Sequence, residues 1–182
     1  MDEELTRILK NHDEYEEFVS GLRHETKRGA VLVAHCVLDD LLDRLVTMRL
    51  DKDNMDSDQI SALRQSLKNF ASKTALSQGM GLTGKVEAKA LLNINKVRNW
   101  IAHDWRASFQ DAKIIEKCQK LPIVFLDENQ KAPEEDAFDR FRYQTDTLIR
   151  QLIERISHFE AHADVLAFTE IQKINREYIK VW

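Results

Sequence analysis

The chain has 182 residues, of which 43% are hydrophobic and 32% charged, with only 5 glycines, 2 prolines and a formal net charge of -4. That length fits one domain able to bury a sizeable core, and the scarcity of helix breakers beside many long charged side chains predicts a mostly helical protein. The mild negative charge excludes a global drive toward nucleic acid, and two cysteines are too few for a disulfide framework. Cys36 and Cys118 are expected to be free, buried thiols in a reducing compartment. The acidic start, Met1-Asp2-Glu3-Glu4-Leu5, does not read as a signal or transit peptide. Ala30–Leu38 is too short for a membrane span and runs into Asp39 and Asp40. A cytoplasmic protein is expected.

In chain order, Tyr15, Phe18, Val19 and Leu22 mark an early helix ending near Gly21. From about Glu25 to Leu50 a second helix carries Ala30, Ala34, Val37, Leu41, Leu45 and Met48 on one stripe. Val31, Leu38 and Leu42 widen that stripe, which predicts a central helix with neighbours on two sides. Asp51–Asp58 reads as a loop whose Asp56 or Ser57 caps the next helix. Shorter helices are expected over Ile60–Leu67 and Phe70–Gln78, with Gly79 as a stop. Val86, Ala90, Ile94, Val97 and Ile101 then form a stripe leading into Arg98-Asn99-Trp100-Ile101-Ala102-His103. Ser108, with Asp111 three residues on, is the expected cap of a helix through Leu121. Pro122 ends it; Ile123–Leu126 is strand-like, but one short strand makes no sheet, and Asp127–Asp136 is an acidic loop. A long helix over 137–162 turns Phe138, Phe141, Leu148, Leu152, Ile156 and Phe159 inward, and a last helix carries Phe168, Ile171, Ile174 and Tyr178. The expected architecture is all-α: one domain over 1–182, a bundle of about six or more helices without a sheet. Its core spans about 25–162, with the C-terminal helix at 163–182 packed on it or at a subunit interface.

Three patterns invite function. Gly79-Met80-Gly81-Leu82-Thr83-Gly84-Lys85 matches G-x-G-x-x-G, but the preceding segment is helical and Val86 stands where a P-loop needs Ser or Thr. A helix stop and a turn explain these glycines better. His158 and His162 have a metal-chelating spacing without a recognisable third ligand, so neither metal nor cofactor is expected. The third pattern is Arg98, Asn99 and His103. A histidine can act as acid or base on a ribose hydroxyl while an arginine neutralises phosphate charge, which would cleave RNA without a metal. The spacing has little discriminating power, because Arg7–His12, Arg28–His35 and Arg155–His162 show similar ones. On an unbroken helix Arg98 and His103 lie roughly 140° apart, so convergence needs a break near His103 or a second subunit. Structurally, Arg98 would pair with a carboxylate of the central helix, Asp39 or Asp40, while Asn99 and His103 bond a neighbouring loop.

Charge is unevenly spread. Residues 1–20 are acidic, whereas 85–120 carry Lys85, Lys89, Lys96, Arg98, Arg106, Lys113, Lys117 and Lys120 against Glu87, Asp104, Asp111 and Glu116. Trp100, Trp105 and Arg106 could stack on nucleotides, though tryptophans beside an apolar stripe suit a core or subunit interface better. No helix-turn-helix, zinc module or strongly basic arm is visible.

With these residues in view, the chain resembles the bacterial mannitol operon repressor family. The resemblance rests on Lys27–Ala34 continuing to Leu38-Asp39-Asp40, on Phe70-Ala71-Ser72-Lys73 with Gly81-Leu82, and on Ile94–His103 followed by Ser108-Phe109. It implies an all-helical regulator of mannitol uptake and utilisation genes. It also implies a more distant similarity to the helical HEPN group, in which an Arg-Asn-x3-His run often marks a ribonuclease site at a dimer interface. Carried over, Arg98, Asn99 and His103 occupy that run, with Asp39 as an acidic companion. The leading expectation is a non-enzymatic regulator acting through a protein partner, with Asp39, Arg98, Asn99 and His103 as a structural or interaction network. The alternative is a metal-free endoribonuclease using Arg98, Asn99 and His103 on RNA. Direct DNA binding through 85–120 would show an affinity falling steeply with salt. A homodimer is expected, because the apolar C-terminal helix and the tryptophans suit an interface.

Overall fold

The structure is a computed structural model that describes residues 17–18, 20–22, 24–52, 55–122 and 136–161. The strand-like 123–126, most of the acidic loop at 127–136, the C-terminal helix at 163–182 and the acidic first residues lie outside the described residues. Six helices are delimited: α1 Lys27–Lys52, α2 Ser57–Ser66, α3 Phe70–Gly79, α4 Lys85–His103, α5 Ala112–Gln119 and α6 Ala137–Ala161. Residues 17–18, 20–22 and 24 are also helical, and no strand occurs among the described residues. The protein is an all-α bundle.

The long α1 is central, packing on α3, α4 and α6. Ala30, Val31, Ala34, Leu38, Leu41, Leu42 and Leu45 are all buried, so its apolar stripe is wide because three neighbours share it. At about 25 cal/mol per Å2, each fully buried leucine contributes roughly 1.5–3 kcal/mol. From α6, Phe141, Leu148, Leu152, Ile156 and Phe159 close the same core. Phe109, from the turn before α5, meets Phe138 and Phe141 edge-on at 5.0 and 5.7 Å.

Helix ends follow local chemistry. Before α2, Asp56 and Gln59 form a reciprocal capping box, Asp56 Oδ1 accepting from Gln59 N–H and Gln59 Oε1 from Asp56 N–H. Asn69 caps α3 by accepting from Ser72 N–H at 2.8 Å. Past Gly79 the chain turns through Gly81 at φ 72°, where glycine avoids the left-handed penalty, and Gly84 is the N-cap of α4. These glycines form a helix stop and a turn. Ser108 does not cap α5 as expected; Asp111 is its N-cap, and Ser108 Oγ accepts from Gln110 N–H in the preceding turn.

Two side chains depart from their expected places. Val86 is 41% exposed, although it begins the α4 stripe, and the neighbouring Glu87 is buried instead. Cys36 is exposed, because it lies on the outer side of α1, while Cys118 is buried as expected. Burial pushes the Cys118 thiol up to about 12.

Candidate functional site

The Arg98–Asn99 step lies two-thirds along α4, where the helix passes α1 and the start of α3. A cavity of about 360 Å3 opens there, lined by His35, Cys36 and Asp39 of α1, Lys68, Asn69 and Phe70 at the start of α3, and Asn95, Arg98 and Asn99 of α4. Three of the four residues singled out in the sequence, Asp39, Arg98 and Asn99, therefore meet. His103 does not line this cavity; it is exposed at the last position of an uninterrupted α4.

Bonding inside the cluster differs from the expected Arg98–carboxylate pair. Lys73 of α3 takes Asp39 instead, with Nζ 2.9 Å from Oδ2, and also lies 3.5 Å from Asp43. Lys73 is 9% exposed, so its charge is held by two carboxylates on consecutive turns of α1. The guanidinium of Arg98 donates to Asn99 Oδ1 at 3.1 Å. His35 Nε2 meets Asn95 Oδ1 at 3.0 Å, and its ring stacks on Phe70 with centroids 4.4 Å apart. Burial lowers the His35 pKa; the Asn95 bond opposes this, Arg98 and Lys73 lower it further, and Asp39 raises it. His35 is thus neutral near pH 7.

His103 belongs to a different arrangement. Arg28 of α1 crosses to the end of α4, donating to the carbonyls of Ile101, Asp104 (3.0 Å), Trp105 (2.9 Å) and Ala107 (3.5 Å). A positive side chain thus caps the negative end of the α4 dipole and holds the next turn. That turn presents Trp105, 80% exposed, with Arg106 5.0 Å from its ring centre. Trp100 is half-buried against the core with Lys113 5.4 Å from its ring centre.

The basic stretch 85–120 is divided by the fold. Lys85, Lys89 and Lys96 share the exposed stripe of α4 with His103 and carry no ion pair among the described residues. On α5, Glu116 takes both Lys117 and Lys120, and those hydrogen bonds hold its carboxyl below the usual range. Sequence reasoning missed Arg155 and Glu87, a fully buried ion pair 2.9 Å apart. Arg155 Nη1 also donates to Leu82 O at 2.7 Å, and Glu87 Oε2 accepts from Gly84 N–H at 2.6 Å. The signal was present: Glu87 stands three residues after the N-cap, the position from which a glutamate reaches back.

A larger cavity of about 490 Å3 lies between α1 and α6, lined by Leu22, Ala30, Ala34, Phe138 and Phe141 among others. Asp139, Arg142, Tyr143, Thr145 and Asp146 complete the lining, with Arg142 3.4 Å from Asp139. Among the described residues no group of three or more His, Cys, Asp or Glu is gathered as a metal site, and no helix is long and apolar enough to cross a membrane.

No family model, curated protein or solved structure matches this chain.

Proposed function

We propose that this chain is a non-enzymatic regulatory protein, similar to the repressor of the mannitol utilisation operon, that acts through a protein partner. The observation that carries this reading is the separation of Arg98 from His103. Arg98 is engaged with Asn99 at the α1–α3–α4 cavity, while His103 stands exposed at the end of an unbroken helix. Arg98 and His103 are not assembled within one chain as a phosphate-binding cation and its acid–base partner. The exposed Trp105, beside Arg106, supports a contact surface of the kind aromatic and arginine side chains anchor.

Gentle co-purification from the native cell, with half the sample treated with nuclease, tests this. A protein partner retained after nuclease is the expected result. Recovery of RNA alone, with clustered cut ends, overturns it in favour of the second reading.

That second reading is a metal-free endoribonuclease completed across a homodimer, His103 of one subunit serving as acid or base beside Arg98 and Asn99 of the other. It is favoured by the exposure of His103 and the half-buried state of Arg98 at an open cavity. Because His103 is exposed, His103→Ala would abolish cleavage and leave Tm unchanged. RNA left intact by the wild-type dimer, or a monomer in sedimentation at micromolar concentration, would exclude it.

A further inference from the structure

The α1–α3–α4 cavity has an unusual balance of donors over acceptors. Each of its three carboxamides spends its oxygen inside the protein. Asn69 Oδ1 accepts from Ser72 N–H, Asn95 Oδ1 meets His35 Nε2, and Asn99 Oδ1 accepts from Arg98. What these side chains have left is two N–H donors each, beside one further lone pair on each oxygen. Arg98 commits only one of its five N–H donors to a protein acceptor among the described residues. Lys68 adds an exposed ammonium, and the first N–H groups of α3 open beside Asn69 at the positive end of that helix. The one lining carboxylate, Asp39, binds Lys73 through Oδ2, while its buried Oδ1 has no hydrogen-bond partner.

We propose that this cavity binds a small organic phosphate, its phosphate group seated between Arg98, Lys68 and the amide nitrogens of Asn69, Asn95 and Asn99. A dianion with several acceptor oxygens answers a site where the unengaged N–H donors of Arg98, Lys68 and the three carboxamides outnumber the acceptors left over. At about 360 Å3 the cavity falls in the range of small-molecule sites, and at ~30 Å3 per water it holds roughly a dozen waters' volume, more than phosphate alone would fill. The rest of the ligand would lie against Phe70 and Cys36. Such a ligand is an effector under the regulatory reading, and the proposal rests on that reading only for its biological meaning.

His35 links this binding to pH. It faces Asn95 and Arg98 of α4, Lys73 of α3 with Lys68 just before it, and Asp39 of its own helix. Burial does most to keep the ring neutral and the nearby cations add to it; a dianion close to Arg98 offsets the cations, so binding draws a proton onto His35.

The test is a titration of the full chain followed by NMR, reading backbone amides and the His35 ring. The probes are inorganic phosphate, glucose 6-phosphate and sulfate, with chloride at matched ionic strength. Sulfate keeps its charge across the titration, separating protonation of His35 from that of phosphate itself. Saturable shifts at α1, the α3 start and α4, with the His35 pKa raised by about half a unit or more, are expected. Tighter binding of glucose 6-phosphate than of inorganic phosphate supports the organic ligand; equal binding reassigns the cavity to free phosphate and overturns that part. Arg98→Gln should weaken binding about tenfold or more, and Lys68→Gln, on the exposed rim, several-fold. Shifts that merely follow ionic strength, or survive Arg98→Gln in a folded protein, overturn the site. A partner recovered without anion binding removes this proposal alone, whereas anion binding without a partner removes the regulatory reading alone.

Discussion

Among single residues, Arg155 and Glu87 show how much one buried pair can organise. Both are almost fully excluded from water, at 1% and 3% exposure, and further bonds reach the carbonyl of Leu82 and the N–H of Gly84. The pair therefore fastens α6 to the α3–α4 turn as well as to α4. Removing one partner strands a buried charge, which costs about 3–5 kcal/mol. Arg155→Met should lower Tm sharply, and Arg155→Met with Glu87→Gln should recover part of that loss, as read by thermal unfolding. A double variant no better than the single would show that the two charges are not coupled. His35 makes a separate prediction. Burial holds its pKa below the unfolded value of 6.5, so on acidification the unfolded chain takes up the proton first. Its contribution is undiminished above that unfolded value and declines below it until the folded pKa is passed. Urea midpoints measured between about pH 5 and 8 should fall toward the acid side, and His35→Gln should flatten that slope.

At the scale of elements, the end of α4 depends on α1 through Arg28. Its guanidinium serves the last carbonyls of α4 and those of the turn that carries Trp105. Charge-assisted bonds at a partly exposed site contribute about 1–2 kcal/mol in total. Arg28→Ala should cost that much and speed amide exchange at Ala107, whose N–H donates to Asp104 O within this turn. Exchange unchanged at Ala107 would show that the turn stands without its cap. The same crossing explains the fate of the Arg98–His103 run. One helix carries both residues, and because α4 continues unbroken to His103 its own geometry keeps them on different sides.

For the whole molecule, the arrangement of helices around α1 decides which surfaces are reachable. The two cysteines report on this directly. Cys36 is exposed beside the α1–α3–α4 cavity, while Cys118 is buried with its thiol pushed up to about 12. Iodoacetamide at neutral pH should label Cys36 in the native protein and Cys118 only after unfolding, with mass spectrometry as readout. Protection of Cys36 at high protein concentration would place that side of α1 in a subunit interface. Saturating glucose 6-phosphate should slow Cys36 labelling if the ligand occupies the proposed cavity.

The sequence by itself determined the all-α class, the order and approximate bounds of the helices, and most of the core. Each follows from local periods and end signals: Leu38, Leu41, Leu42 and Leu45 on α1, Asp56 before α2, and the glycines after α3. It also singled out Asp39, Arg98 and Asn99, which share a cavity. Only the tertiary structure decided whom they touch. Lys73 reaches Asp39 from 34 residues away and His35 meets Asn95 across 60, separations over which no periodicity carries information. For the same reason Val86 leaves its expected place in the core and Glu87 beside it is buried. The position of Glu87 after the N-cap announces its bond back to Gly84, but its ion-pair partner, Arg155 on α6, lies 68 residues away, beyond any pattern local to α4.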